Sequence, residues 1–222
     1  VASLTVELPS GTVSVTAAFE APDDARAVVA LAHGAGAGMD HPFLLGFAGA
    51  LREAGYATVR FAFPYREAGR RMPGPAAHAI TTWQAVSADA QQRFAGLPFV
   101  AAGKSYGGRM ASMAAAQQVI DPAALVYLGY PLHPPGRPDK LRAEHLPDVA
   151  APQLFLAGSS DPFVQPVEQL DATVASCRDA QVQWVEGAGH SFEVKGTRRS
   201  PLDTGAWVAG PVVSWIGAQL SA

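Results

Sequence analysis

The sequence predicts an α/β fold: a mostly parallel central sheet opened by an antiparallel hairpin, with helices on both faces and a minimal lid. Three observations carry this expectation. Short, almost wholly apolar runs recur along the chain, as strands covered on both faces require. Segments with apolar residues at three- and four-residue intervals separate most of these runs. The opening residues differ from both, being rich in β-branched side chains and broken by Pro9-Ser10-Gly11.

Taken in order, residues 4–8 and 12–19 read as two strands of an edge hairpin turning at that Pro-Ser-Gly break. Strands are then expected over 27–32, 57–61, 97–102, 124–128, 153–156 and 182–185. Helices are expected over 42–54, 80–94, 106–119, 166–177 and 206–220. In the second of these, Ile80, Trp83, Val86, Ala90 and Phe94 form one stripe, which reads as core packing. The Pro- and Gly-rich stretches 64–75 and 131–138 follow expected strands and read as loops that shape a site.

Residues 1–222 are expected to form one domain, since a chain of this length can enclose a single core. Hydrophobic residues make up 49% of it and charged residues 16%, which argues for a packed interior rather than a disordered chain. A net charge of -3, with basic residues scattered apart from a small Arg66, Arg70, Arg71 group, excludes a broad nucleic-acid-binding face. Cys177 stands alone, so neither an intrachain disulfide nor a cysteine-based metal cluster is available. A reducing, cytoplasmic setting is expected. Residues 1–8 lack the pattern of a leader, and no long uninterrupted apolar run suggests a membrane partner.

The most informative segment is Phe99 to Gly108, an apolar run feeding Gly103-Lys104-Ser105-Tyr106-Gly107 with a small-residue helix pattern behind it. A strand, Gly-x-Ser-x-Gly and a helix in that order form a sharp turn that holds a serine hydroxyl out of the sheet. A serine hydroxyl is a poor nucleophile at neutral pH, so Ser105 needs a base and a group to orient that base. Asp161, in Ala157-Gly158-Ser159-Ser160-Asp161-Pro162, and His190, in Gly187-Ala188-Gly189-His190-Ser191-Phe192, each follow an expected strand in the required chain order. Asp161 before Pro162 also suits a helix cap, and His190 also suits an ordinary polar loop.

His33-Gly34-Ala35-Gly36-Ala37-Gly38 follows the third expected strand, and its small residues permit close backbone approach to a ligand. The amides of Ala35 and Tyr106 are the candidate oxyanion donors, although a glycine-rich strand end also serves as a plain turn. Neither glycine-rich segment completes a phosphate-binding or dinucleotide fingerprint. No His-Glu-x-x-His or paired-cysteine spacing points to a metal, and no cofactor is expected.

On the hairpin start, the His-Gly-Ala-Gly turn, the Gly-Lys-Ser-Tyr-Gly elbow, the Asp161 turn and the His190 loop, the chain resembles an α/β-hydrolase over nearly its whole length. Phe63-Pro64-Tyr65, Gly69-Arg70-Arg71, Gly103 through Arg109 and Gly189-His190-Ser191-Phe192 resemble the small TEX/KANSL-like branch related to dienelactone hydrolases. The resemblance implies hydrolase activity without defining a substrate. Dienelactone hydrolases carry cysteine where this chain has Ser105. The expected partner is a small acyl substrate, with Tyr65, Arg70, Arg109, Phe163 and Phe192 as candidate contacts. Thioesterase or peptidase activity, and a noncatalytic interaction module on the same fold, remain open alternatives.

Overall fold

In a computed structural model, which describes residues 1–221, the chain forms one eight-stranded sheet with helices on both faces. Strands β1 (Ala2–Leu8) and β2 (Gly11–Glu20) make the antiparallel hairpin, and β2 pairs antiparallel with β4 (Ala57–Phe61). The remaining strands are β3 (Val28–Ala32), β5 (Phe99–Lys104), β6 (Ala124–Leu128), β7 (Gln153–Gly158) and β8 (Ala180–Val185), all joined by parallel pairing. The sheet order is β1-β2-β4-β3-β5-β6-β7-β8. The expected α/β architecture is therefore the one observed.

The helices are α1 (Pro42–Glu53), α2 (Pro64–Glu67), α3 (Ala76–Arg93), α4 (Tyr106–Ala116), α5 (Glu168–Ser176) and α6 (Pro201–Gln219). Several bounds differ from the sequence reading: α3 begins at Ala76 rather than Ile80, β5 runs two residues later at each end, α4 stops at Ala116 rather than Val119, and β8 begins at Ala180 rather than Val182. The stretch expected to be all loop after β4 contains α2, where Pro64 supplies a helical φ at the first position. Helix α6 begins at Pro201 rather than Ala206, because Ser200 caps it by accepting from the Asp203 N–H at 3.1 Å.

Burial explains the strand sequences. Each residue of β3, β4, β6 and β7 is buried, and alternate side chains go to opposite faces. From β3, Val28, Ala30 and Ala32 join α3 and α4 in one core, while Val29 and Leu31 join α1 and α6 in the other. Strands β3 and β6 face apolar cores on both sides, which is why their runs read as continuous, whereas β4 carries the buried Thr58 and Arg60 between its apolar residues.

Parallel pairing points the carboxyl ends of β3, β5, β6, β7 and β8 to one edge, where the loops that follow them gather. One wall of that edge is fixed by the packing of α1 on α6, whose backbones touch. A methyl group on Gly46 would run into the Leu202 carbonyl, and one on Gly205 into the Phe43 carbonyl and, at 2.9 Å, the Phe47 N–H. Backbone cannot yield as a flexible side chain can. Gly205→Ala is expected to lower stability by about 1–3 kcal/mol. Gly49→Ala, on the open side of α1, is expected to raise it by about 0.4–1 kcal/mol. Urea unfolding of the two variants checks both signs, and equal shifts would contradict the close crossing.

Candidate active site

The turn from β5 into α4 sets the geometry of everything around it. Ser105 sits between them at φ 50° and ψ -116°, a backbone conformation that costs a residue with a Cβ of order 1–3 kcal/mol. Surrounding contacts hold it there. The Ser105 N–H donates to the Leu128 carbonyl at 3.0 Å, and its own carbonyl accepts from the Arg109 N–H at 3.1 Å. Helix α4 lies so close to the sheet that a Cβ on Gly107 would stand 2.7 Å from the Ala32 Cβ and 2.7 Å from the His33 carbonyl oxygen. A Cβ on Gly103 would strike the backbone of Gly107 and Gly108. Glycine on each side of Ser105 is thus a packing requirement.

Three side chains from distant parts of the chain converge on this turn. Ser105 Oγ and His190 Nε2 lie 2.9 Å apart, and His190 Nδ1 and Asp161 Oδ2 lie 2.7 Å apart. With Nδ1–H donating to the carboxylate, Nε2 is left as the acceptor for the serine hydroxyl proton. Asp161 is fully buried, and its other oxygen accepts from the Phe163 N–H at 2.8 Å. The same carboxylate thus forms a local turn and binds the imidazole. A buried carboxylate without such donors would be costly, so both bonds matter to its presence there.

The His190 loop is held from several sides. Lys104 Nζ donates to the His190 carbonyl at 2.8 Å, and the Phe163 ring packs on the imidazole with centroids 4.2 Å apart. The Gly189 N–H donates to the Glu193 carbonyl at 2.9 Å, and the Ser160 N–H donates to the Ala188 carbonyl at 2.9 Å. Burial pushes the Lys104 ammonium down to about 8, while the charges of Asp161 and Glu193 pull in the other direction.

Across the cavity, the loop after β3 runs beside the serine. The Gly34 position touches the Ser105 side chain closely enough that a Cβ there would lie 3.6 Å from the Ser105 Cβ. Among the described residues neither the Ala35 N–H nor the Tyr106 N–H finds an acceptor, and both residues line the cavity. Tyr106 stands at the first position of α4, where an N–H has no partner within its helix. His33 fixes this loop: its Nε2 accepts from the Phe63 N–H at 3.2 Å and its Nδ1–H donates to the Gly34 carbonyl at 2.9 Å. Burial drives the His33 imidazole down to about 4, so it stays neutral with both nitrogens committed.

The cavity over Ser105 has a volume of about 830 Å³. Of the residues expected to contact substrate, Arg109 and Phe163 line it. Tyr65, Arg70 and Phe192 do not, and each has a physical reason. Tyr65 is packed beneath the loop after β3, edge-on to His33 and to Tyr106, with ring centroids at 5.8 and 6.3 Å. Arg70 is exposed beyond α2. Phe192 has φ 64°, which turns its ring into the core, where it stacks on Phe43 with centroids 6.0 Å apart. The sequence reading missed Arg142, which lines the cavity from the irregular stretch between β6 and β7 and has no periodic or motif signal. It also passed over Lys104 as a loop-positioning group, although that residue lies within the Gly-x-Ser-x-Gly motif. Among the described residues no set of three His, Cys, Asp or Glu side chains is placed to hold a metal ion, and no helix is long and apolar enough to cross a membrane.

The family model described as an alpha/beta hydrolase domain matches residues 25–207. Among solved structures, the chain is similar to Est1E from Butyrivibrio proteoclasticus, with a TM-score of 0.75 and 16% identity over 100% of both chains. That protein is also known with ferulic acid bound. A dienelactone hydrolase from Anabaena variabilis gives a TM-score of 0.70 and 23% identity, covering 98% of this chain and 96% of its own. An alpha-beta serine hydrolase homologue from Coxiella burnetii gives 0.68 and 22%, covering 85% and 88%.

A second histidine shares the fate of His33. His145 Nε2 lies 2.7 Å from Ser112 Oγ, whose own proton goes to the Arg109 carbonyl at 2.7 Å, so the imidazole is the donor. Burial first, and the Arg109 charge second, lower His145 from 6.5 to about 4. Between those two pH values the unfolded chain binds protons at His33 and His145 that the folded chain refuses. Their contribution is therefore fully present above pH 6.5 and is lost as pH falls toward 4. The urea midpoint is expected to drop across this window, with a shallower slope in His145→Gln than in wild type. Identical slopes would show that His145 is not held neutral.

Proposed function

This chain belongs to the alpha/beta hydrolase domain family, and from that premise we propose that it is a serine hydrolase cleaving small carboxylic esters or related acyl substrates. The observation that carries the proposal is the unbroken chain of hydrogen bonds from Ser105 Oγ through His190 to Asp161, at 2.9 and 2.7 Å. That arrangement supplies a nucleophile, its base and the group that orients the base.

In the first half of the reaction, His190 Nε2 takes the hydroxyl proton as Ser105 Oγ bonds to the carbonyl carbon. Charge collects on the carbonyl oxygen, where the Ala35 and Tyr106 N–H groups are the proposed donors. The buried Asp161 carboxylate stabilises the imidazolium, which then gives its proton to the departing alcohol as the ester bond breaks. In the second half a water molecule, deprotonated by the same imidazole, attacks the acyl-serine. The acid leaves and Ser105 regains its proton. The atoms balance with ester and water alone. Preorganised donors matter most here, because removing one oxyanion donor from such a site typically costs on the order of 10²–10³ in rate.

The small-molecule character of the substrate is supported by the cavity, whose volume of about 830 Å³ falls within the range usual for drug-sized ligands. It is also in keeping with the aromatic acid bound by Est1E.

Ser105→Ala is expected to remove turnover of p-nitrophenyl esters and labelling by a fluorophosphonate, with an unchanged circular dichroism spectrum. Asp161→Asn is expected to lower kcat by roughly 10³–10⁴-fold, because the imidazole loses its orienting charge. Full turnover in Ser105→Ala would end this assignment. A parallel set of ester, thioester and peptide substrates decides which acyl bond is preferred, and an unlabelled wild-type protein would favour a noncatalytic module.

A further inference from the structure

The cavity wall is electrically one-sided. Lys104, Arg109, Arg142 and Arg199 line it, against one carboxylate, Glu193. Some of these charges are already engaged. Lys104 donates to the His190 carbonyl, Arg199 lies 3.9 Å from the centre of the Trp207 ring, and Glu193 Oε2 accepts from the Ser191 N–H at 2.9 Å. Arg109 and Arg142 are different. Among the described residues neither guanidinium is in an ion pair with a carboxylate, and the buried Arg109 Nε has no hydrogen-bond partner at all.

Elsewhere the same chain handles a buried guanidinium in the expected way. Arg60 reaches Glu20 Oε1 at 2.9 Å, Asp40 Oδ1 at 2.6 Å and the Met39 carbonyl at 3.0 Å. A half-buried arginine pair without counterions stands out against that pattern, since desolvated charge is ordinarily paired. The two charges also feel each other. Burial and then the Arg109 charge hold Arg142 below its ordinary range, and Arg109 acts on His145 in the same sense. Glu144 is exposed and pairs with neither.

Backbone hydrogen bonds hold both arginines at the cavity. The Arg109 N–H donates to the Ser105 carbonyl at 3.1 Å near the start of α4, and its side chain lines the same cavity as Ser105. The backbone of Arg142 is pinned at both polar groups: its N–H donates to the Leu132 carbonyl at 2.8 Å, and its carbonyl accepts from Tyr130 Oη at 2.8 Å. A guanidinium presents a planar fork of donors matched to a carboxylate.

We propose that Arg109 and Arg142 form an anion subsite of the catalytic cavity, selecting esters that carry a carboxylate a few bonds from the scissile carbonyl. The half-ester of a short dicarboxylic acid is the substrate class that fits. This deepens the reading of Ser105 as nucleophile and rests on it.

The test compares mono-p-nitrophenyl glutarate with p-nitrophenyl valerate, which match in acyl length and differ in the terminal carboxylate. Wild-type kcat/KM is expected to favour the glutarate by on the order of 10- to 100-fold, the worth of one or two charge-assisted hydrogen bonds. Added salt should erode the preference. Arg109→Gln and Arg142→Gln are each expected to lower the glutarate-to-valerate ratio about tenfold, chiefly through KM, whereas Arg142→Lys keeps part of it. A wild-type ratio at or below one, or variants that lower both substrates equally, would overturn the subsite. Fluorophosphonate labelling separates the two ideas: a labelled protein indifferent to the carboxylate retains the nucleophile and loses the subsite. Calorimetric titration of glutarate into Ser105→Ala reads the subsite without chemistry. Saturable binding that Arg142→Gln weakens supports it, and no binding rules it out even if wild type is unlabelled.

Discussion

Close approach of α4 to the central sheet is the constraint on which the site depends. Ser105 adopts a positive-φ turn because β5 ends at Lys104 and α4 begins at Tyr106, which leaves that one residue to make the reversal. That turn is tolerable only if the helix sits on bare backbone, and Gly103 and Gly107 provide the bare backbone. The cost of the strained conformation, of order 1–3 kcal/mol, is small beside the apolar burial on both faces of the sheet that holds β5 and α4 together. The core thus supports a geometry that local preference alone would not select.

A parallel sheet then makes convergence cheap. Asp161 follows β7 and His190 follows β8, neighbouring strands whose ends lie side by side, so a carboxylate and an imidazole far apart in sequence need little loop to meet. What loop there is does not float. The Lys104 ammonium bonds the His190 carbonyl, Phe163 packs on the ring, and the Asp161 carboxylate serves the Phe163 N–H and the imidazole at once. Opposite them His33, kept neutral by burial, ties the loop after β3 to the start of the segment after β4. The two sides of the cavity are each braced by a side chain with no direct contact to the serine hydroxyl.

Much of this was legible in the sequence, and the legible part has a common physical origin. Strands β4 and β6 have the expected limits because Gly55 and Pro64 bracket one run and Pro122 and Gly129 the other. The elbow, the Asp161 turn and the His190 loop were found because backbone chemistry restricts which residues can occupy such turns. Side-chain direction was the weak point. Tyr65 and Phe192 flank site motifs, yet one packs under a loop and the other is rotated into the core by its own φ. Arg70 belongs to a basic group in sequence and to the solvent in space. Arg142 had no signal, since an irregular connection carries no periodicity that could aim one residue at the serine. The start of α6 is a different matter, because Ser200-Pro201 followed by Asp203 is a legible cap that apolar periodicity from Ala206 onward had obscured.

The charge distribution separates what the fold requires from what it does not. Arg60 is buried in β4 with two carboxylates and a carbonyl about it, an arrangement complete within the protein. His33 is buried and His145 half-buried, and both are held neutral, so folding avoids their charge. Arg109 and Arg142 follow neither course, because a guanidinium cannot shed its proton and no acidic side chain has been supplied to them. Packing gives no reason to retain that repulsion. An apolar side chain at either position would line the cavity at less cost, so the pair makes sense in terms of what enters the cavity rather than what surrounds it.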